Sequence, residues 1–258
     1  MKINKTKHAL KEGKTALGTM VSEFRMPEIG RMMAAAGFDF MIIDNEHSPH
    51  SYETDMDVIR AGRASDIDCF VRVPDALYTL IARTLDIGAE GVMVPRVETR
   101  ETVEEVVGAV KYPPWGRRGW GVRSMHTDFE QVSVKEGVAY LNDNTLVIIQ
   151  IESQRAIDHI DELVSVKGVD VALIGPNDLS ISLGVPGELS HPKMVAQIER
   201  MVAGCERNGV AAGIHIRDMD ALKMWKDKGM RCLMFSSDSG FLMSAASASA
   251  QELRAYME

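Results

Sequence analysis

Several apolar runs in this 258-residue chain end in side chains able to do chemistry. Asp44, Glu46 and His47 close one run in IIDNEH, and Arg72 closes the next in CFVR. Arg96 follows VMVP, Glu152 ends IIQIE, and Asp178 follows IGPN. His215 ends a later run, and Ser236 to Asp238 follow the last. An unpaired charge buried in apolar surroundings is very costly. Charges placed repeatedly at the ends of apolar runs therefore either pair or work. The structural alternative is salt bridging, Arg72 with Glu152 for example.

Glu152 and Asp178 are the metal candidates. Two carboxylates with no cysteine and few histidines nearby offer hard oxygen ligands suited to Mg²⁺ or Mn²⁺, with Co²⁺ also admissible. Gly175 and Pro176 precede Asp178, and a glycine turn there lets backbone amides approach a bound carboxylate. The plainer role for Asp178 is to cap the DLS turn. His47 shares a short loop with Asp44, and a carboxylate beside a histidine sets its tautomer and raises its basicity, as a general base near neutral pH needs. Asp86 sits in the last turn of an expected helix, where the dipole disfavours it. A partner subunit's histidine is one reason for it, a solvated surface another. His215 is either a second base or ligand, or a satisfied core residue. Arg117, Arg118 and Arg123, in a Gly/Trp-rich loop, could hold a substrate carboxylate or form a solvated or subunit-contact cluster.

The elements that must position these residues repeat. Runs at 16–21, 38–44, 69–73, 91–97, 146–152, 169–175, 211–216 and 232–236 are rich in Val, Ile and Met and lack polar alternation. That pattern suits parallel strands covered on both faces. Amphipathic stretches lie between them at 27–36, 54–64, 77–86, 101–110, 156–165, 193–208 and 219–228. Many end at a glycine, among them Gly37, Gly88, Gly168, Gly209 and Gly229. Strict βα alternation implies right-handed crossovers. Eight strands at this length favour an α/β fold of one (β/α)₈ barrel spanning residues 1–258 over an open sheet. In such a barrel chemistry sits at the carboxyl ends of the strands, where the residues above fall. The longest interruption, 111–144, holds YPPWGRRGWG and a short expected helix, and could return over that mouth.

Composition narrows the function. With 45% hydrophobic and 26% charged residues the chain is ordinary globular protein, not disordered or fibrous. A net charge of -8 argues against a nucleic-acid or anionic-membrane surface. No signal peptide or membrane-length apolar run is read. Three cysteines without metal-type spacing suggest reduced core thiols and a cytoplasmic protein. The seventeen methionines read as core filler.

Taken together, GFDFMIIDNEH, VRV, LDIGAEGVMVPRVET, KYPPWGRRGWG, VIIQIES and VDVALIGPNDLS resemble the HpcH/HpaI aldolase family in order and spacing, over nearly the whole chain. The resemblance implies a class II, metal-dependent pyruvate aldolase that cleaves a 4-hydroxy-2-oxo acid, of the 2-keto-3-deoxy sugar acid or 2,4-dihydroxyhept-2-enedioate type. It implies that Glu152 and Asp178 hold the metal, that His47 is the acid/base and that Arg72 stabilises the enolate. Gln150, Gly175, Pro176, Asn177 and Asp178 would contact substrate, and Asp86 would tune the histidine of a neighbouring subunit. It further implies a last helix exchanged between subunits and a homo-oligomer, a hexamer or trimer of dimers. No lysine sits at a strand end to form a Schiff base. Arg96 and His215 depart from the family's apolar residues there, which bears on the aldehyde half of the reaction. A 2-oxo diacid decarboxylase with the same enolate site, or a catalytically silent scaffold, are the alternative functions.

Overall fold

The computed structural model describes residues 1–121 and 125–258. Eight parallel strands close into a barrel in chain order: β1 (Ala16–Val21), β2 (Phe40–Asp44), β3 (Asp68–Arg72), β4 (Gly91–Val94), β5 (Leu146–Ile151), β6 (Val171–Ile174), β7 (Ala211–Ile216) and β8 (Cys232–Ser237). The (β/α)₈ expectation is borne out. Strands β2 and β6 begin later than the apolar runs suggest. The residues before them are turn residues: Asp39 instead takes the Leu17 N–H on its carboxylate, and Asp170 takes the Val147 N–H.

The strand period of two divides each run between two cores. Phe40, Ile42, Phe70, Met93, Leu146, Ile148, Leu173 and Met234 fill the barrel interior. Met41, Ile43, Val71, Val92, Val147 and Ile149 belong to the layer between strands and helices. Both faces are buried, which is why the runs carry no polar alternation.

The outer layer comprises α2 (Glu28–Ala35), α3 (Tyr52–Ala64), α4 (Tyr78–Asp86), α5 (Arg100–Val110), the pair at Gln154–Asp158 and Ile160–Val164, Pro192–Asn208 and Met219–Asp227. The expected helix at 156–165 is broken at His159, which leaves helical geometry at φ -102 and ψ 16. Gly37, Gly88, Gly168, Gly209 and Gly229 all adopt positive φ, as residues just past a helix do. A helix at Lys5–Lys11 covers the amino ends of the strands: Lys2 bonds Asp68 and Glu90, and Lys7 bonds Asp170.

The described residues of the long connection after α5 also lie at that end, not over the mouth. Lys111 donates to the carbonyls of Asn142 and Thr145, just before β5, and Arg118 reaches Asp86 at the end of α4. The reason is topological: a segment leading from a helix into the next strand returns to where strands begin. Its expected helix is present at Val134–Asn144, closed by a capping box between Ser133 and Glu136. The last helix, Asp238–Met257, is buried only at Asp238 and exposes Leu242, Met243, Leu253, Tyr256 and Met257. Among the described residues no helix is long and apolar enough to cross a membrane. Cys69, Cys205 and Cys232 are free and buried, as expected of core thiols.

Helices α2 and α3 touch through backbone. A Cβ at Gly30 would lie 2.8 Å from the Cα and N of Gly62. Gly108, within α5, has only open space around it, its nearest foreign atom 4.0 Å away. Gly30→Ala should therefore destabilise the protein by roughly 1–3 kcal/mol in urea unfolding, the scale of overpacking. Gly108→Ala should be neutral or stabilising by up to about 1 kcal/mol, because alanine is the better helix former. Equal effects of the two substitutions would mean that helix propensity, not close packing, governs both sites.

Candidate active site

The strand phase that fills the barrel interior also aims the site residues. Asp44 continues the phase of Phe40 and Ile42, and Arg72 that of Phe70. Gln150 and Glu152 continue Leu146 and Ile148, and His215 continues Ala211. All therefore face inward at the carboxyl rim. There they meet a cavity of about 220 Å³ lined by Met20, Ser22, Asp44, His47, Arg72, Gln150, the 173–178 turn, His215, Arg217 and Ser237, among others.

Its firmest feature is a clamp on Arg72. Strand register places Asp44 opposite Arg72. Arg72 Nε donates to Asp44 Oδ1 at 2.9 Å and its NH2 nitrogen to Oδ2 at 2.6 Å, a two-pronged fork. The NH1 nitrogen lies 3.0 Å from Glu46 Oε2. Burial alone would raise the Asp44 carboxyl, yet the Arg72 guanidinium and two backbone donors hold it below the usual range. Arg72 thus has two acid partners, and neither is Glu152; the expected alternative pairing is not found. Asp44 also does something other than orient the His47 ring. Its Oδ1 accepts the backbone N–H groups of Glu46 and His47, fixing the turn that carries them. The His47 ring is largely exposed and nearest Glu46, with Nε2 3.7 Å from Oε2.

Arg96 stands out in the sequence as a charge after an apolar run and as a departure from the family, and its structural part is clear. Its backbone sits in the left-handed region at φ 53, a costly conformation for a side-chain-bearing residue. That turn brings its N–H to 2.7 Å from Glu152 Oε1. Its guanidinium spans outward to Glu46 at 2.8 Å and to the Pro74 carbonyl. Glu46 consequently bridges two arginines, a role that sequence spacing did not announce.

Glu152 lies just behind the cavity wall, 7% exposed. Burial pushes its carboxyl up to about 7, and the charges of Glu46 and Asp178 push the same way. Gly175 matters here for space, not for an unusual φ, which is -93. A Cβ there would come within 2.7 Å of both Gln150 Nε2 and Glu152 Oε2. Gln150 Oε1 is buried without a hydrogen-bond partner. Asp178 is exposed and makes no side-chain hydrogen bond among the described residues. It does not cap its helix, Pro176–Ser182, whose cap position is Gly175.

This end of the cavity fits a divalent cation. The Asp178 charge raises the proton affinity of Glu152, a buried amide oxygen lacks a donor, and the ligands at this end are hard oxygens. No group of three or more His, Cys, Asp or Glu side chains is placed to hold a metal among the described residues, so water and substrate would complete the shell.

Other expected residues go elsewhere. Asp86 is away from this cavity; its Oδ1 accepts from Arg118 at 2.8 Å and lies 3.6 Å from His126 Nδ1, a partner within the chain for an acid at a helix end. Its side chain is still 43% exposed. Arg118 is buried and stacked over Tyr112, and Arg117 pairs with Glu105 on the surface. Neither reaches the cavity, and Arg123 lies outside the described residues. His215 lines the cavity, and its Nε2 is 2.8 Å from the Ser236 carbonyl. Arg217 lines the cavity too and was not singled out; the signal was its place two residues beyond His215, on the same inward phase.

The HpcH/HpaI aldolase/citrate lyase family model matches residues 22–245. A hydroxypyruvate/pyruvate aldolase of Roseobacter denitrificans is 34% identical over 242 residues, 93% of each chain. A 2-keto-3-deoxy-L-rhamnonate aldolase of Escherichia coli is 31% identical over 235 residues, 91% of this chain and 85% of its own. The crystal structure of an HpcH/HpaI aldolase from Desulfitobacterium hafniense superposes with a TM-score of 0.93 at 34% identity, covering 96% of each chain.

The clamp generates a stability prediction. Asp44→Asn removes the charge that faces Arg72 and should cost about 3 kcal/mol at pH 7, the scale for breaking a buried ion pair. The folded-state pKa of Asp44 is depressed from the ordinary 3.8. Its contribution is therefore complete above that value and lost as pH falls through the folded pKa. Urea unfolding of both proteins from pH 7 to pH 3 should show the gap closing at the acid end; a gap that widens there would contradict the clamp.

Proposed function

The chain belongs to the HpcH/HpaI aldolase/citrate lyase family, and from that membership we propose that it is a class II aldolase cleaving a 4-hydroxy-2-oxo acid to pyruvate and an aldehyde. The observation that carries the reading is the convergence of Arg72, His47, Gln150 and Asp178 on one cavity, with Glu152 directly behind its wall. Curated relatives at 31–34% identity act as aldolases by name, over nearly the full length of both chains.

Glu152 and Asp178 would hold a divalent ion, Mg²⁺, Mn²⁺ or Co²⁺. When bound, such an ion supplies Lewis acidity to the 2-oxo group. The remaining work falls to the chain. Gln150 and the Gly175–Asn177 turn seat the pyruvate half. His47 takes the proton of the 4-hydroxyl, the C3–C4 bond breaks, and its electron pair passes through C2 to the 2-oxo oxygen. The aldehyde departs, and a proton delivered to C3 completes pyruvate. Arg72, already oriented by Asp44 and Glu46, stabilises the oxyanion as it forms. Preorganisation of this kind is the largest single source of catalysis in many enzymes.

Residues 1–258 are read as one catalytic domain, acting on a small 2-oxo acid in the cytoplasm. The apolar side chains exposed on helix Asp238–Met257 are better satisfied against another copy, which supports exchange of that helix and a hexamer or trimer of dimers. The free part of the Asp86 carboxylate, with Arg118 fixing the rest, is available to a neighbouring copy's histidine.

Release of pyruvate from a generic 4-hydroxy-2-oxo acid, measured with Mn²⁺ and with a chelator, tests this function. Activity should require the ion, and Glu152→Gln should abolish both ion binding and turnover. Full activity in chelator-treated enzyme would overturn the class II assignment.

His47 separates the two halves of the reaction. His47→Ala should lose aldol cleavage by about 10²–10⁴, the usual worth of general acid–base catalysis. Oxaloacetate decarboxylation needs no hydroxyl deprotonation and should fall much less. Equal losses in the two reactions would place His47 in service of the ion site instead.

A further inference from the structure

Arg217 lies just beyond β7, lines the cavity, and is exposed. Among the described residues it makes no hydrogen bond or ion pair. Of the acids near it, Asp178 lines the same cavity but is the proposed ion ligand, and the two nearest in its own part of the cavity are committed elsewhere. Asp218, next in the chain, caps helix Met219–Asp227 by accepting from the N–H groups of Asp220 and Ala221, both at 2.9 Å. Asp238, at the end of β8, is buried and accepts from Ser22, Glu23 and Phe24. Arg72, by contrast, faces two carboxylates.

His215 adds no charge to this arc. Burial lowers its pKa, the cations Arg72 and Arg217 push it the same way, and the Ser236 carbonyl takes the Nε2 hydrogen. The β7–β8–β1 part of the cavity therefore presents one uncompensated guanidinium, while the β5–β6 part presents carboxylates. With the pyruvate half of a 2-oxo acid assigned to the β5–β6 turn, Arg217 is the unpaired cation of the same cavity left to its other end. The cavity of about 220 Å³ is below the roughly 300–1,000 Å³ of ordinary ligand sites, which limits that end to a short chain. A lone guanidinium fork matches a carboxylate in shape and charge. A phosphate dianion would call for more donors than one guanidinium supplies.

We propose that Arg217 is the specificity-determining residue of the aldehyde half, selecting a short aldehyde that carries a carboxylate. The inference rests on the aldolase reading, so its test has a separate control for that reading.

The experiment condenses pyruvate with succinate semialdehyde, or with butyraldehyde of equal chain length, in the presence of Mn²⁺. The wild type should favour the carboxylated aldehyde by about 10- to 100-fold in kcat/KM, the range expected for one charge-assisted hydrogen bond. Arg217→Met should collapse that ratio toward unity by lowering the carboxylated substrate's value, and Arg217→Lys should keep part of it. No preference in the wild type would overturn the proposal. So would a rise in pyruvate KM shared by both aldehydes in Arg217→Met, because Arg217 would then hold the pyruvate carboxylate. Exchange of pyruvate methyl protons in D₂O needs no aldehyde and is run on the wild type alongside. Exchange without an aldehyde preference overturns the assignment of Arg217 alone, whereas absence of exchange removes the aldolase reading beneath it.

Discussion

A guanidinium at the end of a barrel strand is held at the surface of the interior only if something repays its lost hydration. Here the repayment comes from β2. Because β2 and β3 pair in register, Asp44 and Arg72 stand opposite each other, and the Asp44 fork takes two of the guanidinium's nitrogens. Glu46 takes the third and ties it to Arg96, whose backbone N–H in turn holds Glu152. Four strands are thus linked through one chain of charged contacts, and the position of Glu152 depends on the same contacts as that of Arg72. A substitution anywhere along this chain would be felt at both Arg72 and Glu152.

Charge is also sorted by barrel end. The amino end holds Lys2, Arg63, Asp68 and Glu90 in mutual contact beneath the first helix, with burial pushing the Glu90 carboxyl up to about 7. Its members are paired with one another and sit under a structural cover, so they read as the plug of the barrel. At the carboxyl end the pairing is incomplete by comparison. Asp178 and Arg217 have no side-chain partner among the described residues, and Gln150 Oε1 has no donor. Groups left unsatisfied beside a cavity are available to a ligand in a way that the plug's are not. Both ends carry buried carboxyls with raised pKa, so a perturbed pKa alone would not have told them apart.

The barrel and its rim were legible in the sequence because both follow from local pattern. Unbroken apolar runs, glycines after helices and charges at run ends are short-range signals, and Asp44, Arg72, Gln150 and Glu152 fall where those signals put them. What could not be read is whatever depends on register or on a turn's handedness. The partner of Arg72 is set by β2–β3 pairing, not by spacing along the chain. The contact of Arg96 with Glu152 requires a left-handed residue that no glycine announces. The segment 111–144 has the composition of a loop that could cover a site, whereas its topology, running from helix to strand, takes its described residues to the opposite end. Asp86 shows a related limit: the sequence marks it as out of place at a helix end, but only the fold shows Arg118 beside it.

The two arcs of the rim differ in how freely they can change. The β2–β5 arc is cross-linked: altering Asp44, Glu46, Arg72 or Arg96 strands a buried partner, at a cost that reaches the fold. The end of β7 is not. His215 is tied only to a backbone carbonyl, and Arg217 to nothing among the described residues. Side chains there can be exchanged without leaving a charge unpaired, so the aldehyde end of a substrate can be re-specified while the enolate end keeps its geometry. In this chain that freedom has been used to place an arginine where the fold demands no charge. On the proposed reading, Arg217 can act on the substrate without a part in holding the rim together.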